Sequence, residues 1–110
     1  MAQDVTEAEA REIVRKRANG RCEVCGGRGS EYSHRQRRSI QANRWDPANA
    51  LLACRSCHAR MHNSPQEART VGWHVSIYEE PAQVPVLLSD GHYWLLDHEG
   101  GATEAVDQQP

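Results

Sequence analysis

The chain has 110 residues, enough for one compact domain and too few for two ordinary ones. Apolar residues make up 38% of it and Phe is absent, so the core must be small, and no apolar run approaches the roughly 18 residues of a membrane-spanning helix. Residues 1–10 carry a formal charge of −3, residues 11–69 carry +8 and residues 70–110 carry −7. The arginine-rich middle segment favours phosphate binding, with a solvated charged face as the alternative.

The first predicted element is a helix over Thr6–Ala18. Thr6 and Glu9 have the spacing of a capping box, and Asn19-Gly20 provides a C-terminal stop. Cys22-Glu23-Val24-Cys25-Gly26-Gly27 follows, and we expect a tight turn that carries two thiols.

Two strands and two helices are predicted for the middle segment. They are strands over residues 30–34 and Asn49–Ala53, joined by an arginine-rich loop, and a helix over Arg55–Asn63. Ser64 and Glu67 have the spacing of a second capping box, with Pro65 in the favoured first turn. This pattern predicts a short helix that Gly72 ends.

From Trp73 onward the apolar residues alternate, which is typical of strands. The predicted strands are Trp73–Ile77, Val84–Leu88 and Tyr93–Leu96, with Asp90-Gly91 as a turn between the last two. A small antiparallel meander is the simplest arrangement of these strands. Gly100–Pro110 is polar and acidic, and we expect it to fray. Residues 73–110 thus form a β extension with an acidic tail, in the same compact unit as residues 1–72.

The cysteines form two identical C-x-x-C pairs, and 28 residues separate the pairs. Met1 to Ala10 lacks the pattern of a secretory signal, so we expect a cytoplasmic protein, in which paired thiols more often bind metal than form disulfides. Cys22, Cys25, Cys54 and Cys57 together supply the ligands of a closed tetrahedral zinc site. In a chain with so small a core, structural zinc would contribute about 10 kcal/mol of folding free energy.

Other uses of the cysteines fit the pattern less well. A dithiol redox motif does not need two matched pairs, and a c-type haem attachment at Cys54-Arg55-Ser56-Cys57-His58 leaves the first pair unexplained. A mixed site of the first cysteine pair with His58 and His62 leaves the second cysteine pair without a role. His58 and His62 are four residues apart on a predicted helix, so both imidazoles can share a different cation.

These residues carry a family resemblance. Ser33-His34-Arg35, the run from Asn49 to His58, and His62 resemble an HNH endonuclease of the ββα-metal type, in particular the small HNH proteins of tailed bacteriophages with two C-x-x-C pairs. The resemblance covers residues 20–72 and extends more weakly to the strands after Gly72-Trp73. It implies an α+β fold in which residues 1–72 form the HNH core, stapled by the cysteine zinc knuckle and preceded by the N-terminal helix.

The resemblance also implies a role for each matching residue. His34 would be the general base of phosphodiester hydrolysis, and Asn49 would hold His34 in position through the loop. His58 and His62 would bind one divalent cation, Mg²⁺, Mn²⁺, Ni²⁺ or Zn²⁺. Ser33 occupies the position where the family has a third ligand, Asp or His. A hydroxyl is a poor ligand, so there are two alternatives. Either two histidines, waters and substrate phosphate hold the cation with weaker affinity, or Glu31, on the same strand face as Ser33, reaches inward as a substitute.

DNA is the expected partner, because a group of arginines lies between the proposed base and Asn49. The group consists of Arg35, Arg37, Arg38 and Arg44. Guanidinium contacts to phosphate position the DNA backbone without reading its sequence. The resemblance implies phage DNA processing or packaging in the host cytoplasm, with terminase subunits as further partners. The alternatives are a non-catalytic zinc module that binds nucleic acid, which Ser33 favours, and an adaptor whose acidic tail binds a protein.

Overall fold

The computed structural model describes residues 5–36 and 44–105, and within these ranges the fold is α+β with two antiparallel sheets. The helices are α1 (Glu7–Ala18), α2 (Arg55–Asn63) and α3 (Pro65–Thr70). The strands are β1 (Glu31–His34), β2 (Ala50–Ala53), β3 (Val86–Leu87), β4 (Tyr93–Leu96) and β5 (Ala102–Glu104). The first sheet pairs β1 with β2, and the second has the order β3-β4-β5.

Helix α1 confirms the first prediction. The Thr6 hydroxyl accepts a hydrogen bond from the Glu9 amide at 3.1 Å, and the Glu9 carboxylate accepts one from the Thr6 amide at 3.0 Å, which completes the capping box. Asn19 ends the helix in the left-handed region, with φ of 57°. Val14 lies on the buried face of α1, against the first sheet.

Strand β2 lies at the centre of the fold. It runs antiparallel to β1, with His34 opposite Ala50, and all four of its residues are buried. Successive side chains of a strand point to opposite faces, so Leu52 packs with Val14 of α1, while Leu51 packs in the larger core cluster that contains Met61 of α2. Cys54 alone separates the end of β2 from the start of α2, so the position of β2 limits where α2 can start.

A buried ion pair joins α1 to the turn that holds the first cysteine pair. Two guanidinium nitrogens of Arg17 donate to the Glu23 carboxylate, each at 2.9 Å, and both side chains are 6% exposed. Arg17 also donates to the carbonyls of Pro47 and Ala50, and Glu23 accepts the Leu52 amide. The remaining hydrogen-bonding capacity of the two charges is therefore used by the chain around β2.

The C-terminal sheet is a three-stranded meander, as predicted, but it is built from different residues. The predicted strand Trp73–Ile77 is irregular, because Trp73 is an anchor in the core whose indole donates to the Leu87 carbonyl at 2.9 Å. The third strand is instead β5, within the segment predicted to fray. Strand β3 spans Val86–Leu87 alone rather than Val84–Leu88.

The predicted capping box at Ser64 is wrong. Ser64 makes no side-chain cap hydrogen bond at the start of α3, and Glu67 pairs instead with Arg60 of α2 at 2.6 Å. Gly72 does follow the end of α3, with φ of 85°, and a Cβ there would overlap the carbonyl oxygen of Pro85. Only glycine allows this close approach between the end of α3 and the chain that enters β3.

Arg35 holds the C-terminal segment against the first sheet. Its side chain lies in the interior, where its nitrogens donate to four backbone carbonyls at 2.8 to 3.1 Å. These carbonyls belong to Ala48, Gly72, Pro81 and Val84. Burial lowers the pKa of Arg35 to about 9, so the guanidinium is still charged at pH 7. The prediction that Arg35 contacts DNA phosphate is therefore corrected, since its donors are used inside the protein.

We expect the substitution Arg35→Lys to destabilise the fold by about 3 kcal/mol, because a single ammonium cannot replace a planar fork that bonds four separate carbonyls. Urea unfolding at constant zinc concentration measures this change. Arg28→Lys is the matched control, because Arg28 is exposed, and it should change the free energy of unfolding by less than about 0.5 kcal/mol. Equal stability of the two variants would contradict the structural role of Arg35.

Candidate functional site

The four cysteines come together as the sequence predicts. Their sulfur atoms all lie within 4.8 Å of one another, and the Cys25 and Cys54 sulfurs are 3.9 Å apart. All four are free thiols, and 3.9 Å is about twice the roughly 2.05 Å of a disulfide bond. This arrangement is compatible with a structural zinc site.

Backbone amides point at the sulfurs of both pairs. The Val24 and Cys25 amides donate to Cys22 Sγ, and the Cys57 amide donates to Cys54 Sγ, each at 3.4 Å. The hydrogen bond from the Cys57 backbone amide is the main cause that lowers the pKa of Cys54 to about 7. Burial raises the pKa of Cys57. Amide donors of this kind stabilise thiolates, the form that binds metal.

Cys54 also caps α2, because its sulfur accepts the Cys57 amide at the first turn of that helix. The cysteine cluster is thereby joined directly to the helix that carries His58 and His62. The mixed zinc site of two cysteines and these two histidines is not favoured, since the close group contains all four cysteines and neither histidine.

His58 and His62 lie side by side on α2, with their ring centroids 4.9 Å apart. Glu31 of β1 approaches His58, and its Oε1 lies 2.6 Å from His58 Nδ1. This bond is the main cause that lowers the pKa of Glu31. Nδ1 of a neutral His58 must donate to the carboxylate, which leaves Nε2 with the lone pair that a cation needs. Glu31 therefore orients His58, whereas one of the two alternatives for Ser33 made Glu31 a direct ligand.

Ser33 does not occupy a ligand position. Its side chain is buried, and its hydroxyl donates to the sulfur of Met61 at 3.5 Å within the core. Ser33 and Glu31 do share the face of β1 that packs on α2, as predicted, but only the Glu31 side chain reaches a histidine. The prediction that Ser33 binds the cation is corrected for this reason.

The proposed base, His34, lies at the end of β1. Its Nε2 is 3.0 Å from the Arg44 carbonyl, which can only accept, so Nε2 carries the proton and Nδ1 is the basic nitrogen of the neutral ring. The ring packs at an angle against Tyr32 and Trp45, with centroid distances of 5.2 and 5.4 Å. These contacts fix both the tautomer and the orientation of His34.

Asn49 is fully buried just before β2, and it ties the end of β1 to the chain that enters β2. Its side-chain oxygen accepts the Gln36 amide at 2.8 Å, and its carbonyl accepts the Arg35 amide at the same distance. The two residues that follow His34 are thus both bonded to Asn49. This placement agrees with a positioning role, in which Asn49 does no chemistry itself.

One open cavity of about 920 Å³ collects the candidate residues from both parts of the motif. His34, His58 and His62 line it, together with His74 and the basic residues Arg11, Arg44 and Arg69. Glu7, at the same cavity, pairs with Arg11 at 2.9 Å. The cavity therefore joins a candidate base, a candidate cation site and several guanidinium groups, which are the features that phosphate-ester chemistry needs.

The predicted DNA-binding arginines are only partly placed. Arg44 lines the cavity, and its guanidinium lies 5.6 Å from the Trp45 ring centroid. Arg37 and Arg38 lie outside the described residues. Arg11, Arg69 and His74 were missed by the sequence motifs, because each comes from an element outside the run from β1 to α2. Burial lowers the pKa of His74, and His62, Arg69 and His58 add to that effect.

A second group of close ligand atoms lies away from this cavity. Asp46, Glu80 and His98 approach within 4.8 Å, and Asp46 Oδ2 accepts from His98 Nδ1 at 2.7 Å. Asp46 also caps the short 3₁₀ turn at Pro47–Asn49. This contact joins the turn between β4 and β5 to the chain that enters β2.

The chain matches no protein-family model, no curated protein and no solved structure. Its functional interpretation therefore depends on the residues and their geometry. Among the residues that the structure describes, no helix has both the length and the apolar character needed to cross a membrane.

We expect the protein to contain one tightly bound zinc ion and to lose most of its helicity when a strong chelator removes it, since structural zinc contributes about 10 kcal/mol or more of folding free energy. Elemental analysis and circular dichroism measure the two effects. Cys25→Ser should lose the zinc, although Cys25 is exposed and adds little to the core, whereas the exposed Ser56→Ala should keep it. Full helicity without bound metal would contradict the zinc site.

Proposed function

We propose that this chain is a metal-dependent HNH endonuclease that hydrolyses DNA phosphodiester bonds. The observation that carries the proposal is that His34, His58 and His62 line one cavity. These residues come from β1 and α2, and with the intervening β2 they form the ββα order of the HNH motif. The order and the shared cavity support the proposal together, because the resemblance predicted both the residues and their convergence.

The donor set fits a divalent cation. The His58 and His62 rings are 4.9 Å apart, a spacing that two imidazole ligands of one ion can adopt, and Glu31 fixes the tautomer of His58. When bound there, a divalent cation supplies Lewis-acid stabilisation of the scissile phosphate and of the leaving 3′ oxygen. Mg²⁺, Mn²⁺, Ni²⁺ and Zn²⁺ are the candidates.

His34 serves as the general base. Its Nε2 is held by the Arg44 carbonyl, which orients the imidazole that takes the proton of the attacking water. Imidazole is the side chain best suited to this proton exchange at neutral pH. Asn49 keeps the backbone after His34 in place, and in this way it positions His34 at the cavity.

Guanidinium groups position the substrate. Arg44 and Arg69 line the cavity, and guanidinium groups are suited to contacts with phosphate oxygens of the DNA backbone. Such contacts neutralise charge without reading bases, so we expect strongly salt-dependent binding with little sequence preference. The resemblance to phage proteins places the activity in DNA processing or packaging, with terminase subunits as proposed partners.

A non-catalytic, zinc-containing module that binds nucleic acid is the second candidate function. Ser33 favours it, because the hydroxyl at the usual ligand position contacts Met61 in the core and not the cavity. A protein that binds DNA but does not cleave it with any of the candidate cations would match this alternative.

A nicking assay on supercoiled plasmid tests the proposal. With Mg²⁺, Mn²⁺ or Ni²⁺ the parent protein should nick the plasmid, and His34→Ala should reduce the rate on the order of 100-fold or more, because the base is lost. His92→Ala is the matched control, since the His92 side chain is 60% exposed in the turn between β3 and β4 and pairs with Glu104. Equal rates for the parent and His34→Ala would reject His34 as the base.

Glu31 provides a separate test of the cation site. Glu31→Ala should weaken Ni²⁺ binding to the zinc-loaded protein by about 10- to 100-fold, because the carboxylate no longer orients His58. Isothermal titration calorimetry measures this affinity. The control is Glu67→Ala. Glu67 of α3 is an exposed carboxylate that pairs with Arg60, a residue of the same helix as His58. Unchanged affinity in Glu31→Ala would show that the Glu31 contact has no role in binding.

A further inference from the structure

A third histidine, His74, lies next to the histidine pair of α2. Its ring centroid is 6.1 Å from that of His62, with 66° between the ring planes, and it lines the same cavity. His74 follows the run of residues 20–72 that carries the HNH resemblance. Neither the motif nor its implied roles therefore account for it.

The backbone on both sides of His74 is fixed. The His74 amide donates to the Ala68 carbonyl at 3.0 Å, and the Val75 amide donates to the Arg35 carbonyl at 2.8 Å. Trp73 is anchored in the core through its bond to Leu87. The Cα of His74 is thus held in place, and the side chain alone has freedom to adjust.

The donor set of the α2 pair lacks a third protein ligand. Ser33 is turned into the core, and Glu31 is bonded to Nδ1 of His58. Two imidazoles alone give a weakly bound ion, since catalytic zinc sites use three protein ligands and an open position. A further neutral nitrogen donor at this cavity would complete such a set.

We propose that His74 is the third protein ligand of the divalent cation held by His58 and His62, an inference that rests on the proposed function. Among the described residues, the three histidines are not a group whose ligand atoms all lie within 4.8 Å. Rotation of the side chain toward His62 is therefore part of cation binding, and rotation between staggered positions is a small movement for a partly exposed ring.

Three imidazoles also imply a preference among metals. Imidazole suits Zn²⁺ and Ni²⁺, whereas Mg²⁺ prefers oxygen ligands and Mn²⁺ binds nitrogen more weakly than Ni²⁺ does. The cavity is therefore a site for a nitrogen-preferring transition metal. Loss of His74 should reduce the affinity for Ni²⁺ more than that for Mn²⁺, whereas a merely structural role would reduce both alike.

Calorimetric titration of the zinc-loaded full chain with Ni²⁺ and with Mn²⁺ tests this inference. The parent should bind one Ni²⁺ beyond the zinc, and His74→Ala should weaken Ni²⁺ binding about tenfold or more, with a smaller change for Mn²⁺. His92→Ala is again the control, because His92 is far from the α2 pair in sequence and lies exposed in the turn between β3 and β4. Its Ni²⁺ affinity should stay within about twofold of the parent value.

The outcomes separate this inference from the proposed function. Unchanged Ni²⁺ affinity in His74→Ala, with loss of binding in His58→Ala, would overturn the role of His74 and leave the cation site of α2 in place. Unchanged affinity in both variants would reject that cation site, and the proposed function with it. Equal losses for Ni²⁺ and Mn²⁺ in His74→Ala would also overturn the ligand assignment.

X-ray absorption of the Ni²⁺-loaded parent gives a measurement that needs no variant to fold. Multiple scattering from imidazole rings counts the histidine ligands of the ion. Three imidazoles would support His74 as a ligand, and two would overturn it.

Discussion

The convergence of four sulfur atoms, from two stretches of chain 28 residues apart, is the constraint on which the other features depend. Cys54 belongs to this cluster and also caps α2, so the cluster fixes the point at which that helix begins. His58 and His62 lie on the first two turns of α2, so the cysteine cluster at the start of this helix also determines their positions. The buried ion pair of Arg17 and Glu23 joins α1 to the turn that carries the first cysteine pair of this cluster.

Local signals in the sequence were sufficient for much of this arrangement. The bounds of α2 and β4 agree with the prediction, and α1 begins directly after its predicted cap, Thr6. Helix caps, glycine stops and apolar alternation are signals that depend only on residues close in sequence, so they can be recognised without the tertiary structure. The cysteine cluster was predictable because two matched C-x-x-C pairs fit a zinc site better than they fit a redox motif or a haem attachment. The resemblance named His34, His58 and His62, and all three line one cavity, while their catalytic roles stay a prediction.

The features that were not predictable depend on contacts between distant residues. Trp73 and Val75 alternate as in a strand and both are buried, yet the segment forms no strand and Trp73 packs in the larger core cluster, so the same pattern has a different cause. Nothing in a run of arginines distinguishes Arg35, which bonds buried carbonyls, from the arginines around it. The strand period did place Glu31 and Ser33 on one face of β1, but only the packing of α2 decides that one meets His58 and the other Met61.

The carbonyls that surround Arg35 also bear on how this chain can diverge. Three of the four belong to residues from Gly72 onward, while the guanidinium itself comes from the residue after His34. If recombination replaced the C-terminal segment with an unrelated sequence, the buried guanidinium of Arg35 would lose most of its hydrogen-bond acceptors, beside the proposed base. The C-terminal segment therefore cannot be exchanged independently of Arg35. It must be inherited together with the residues around His34, or Arg35 must be lost at the same time.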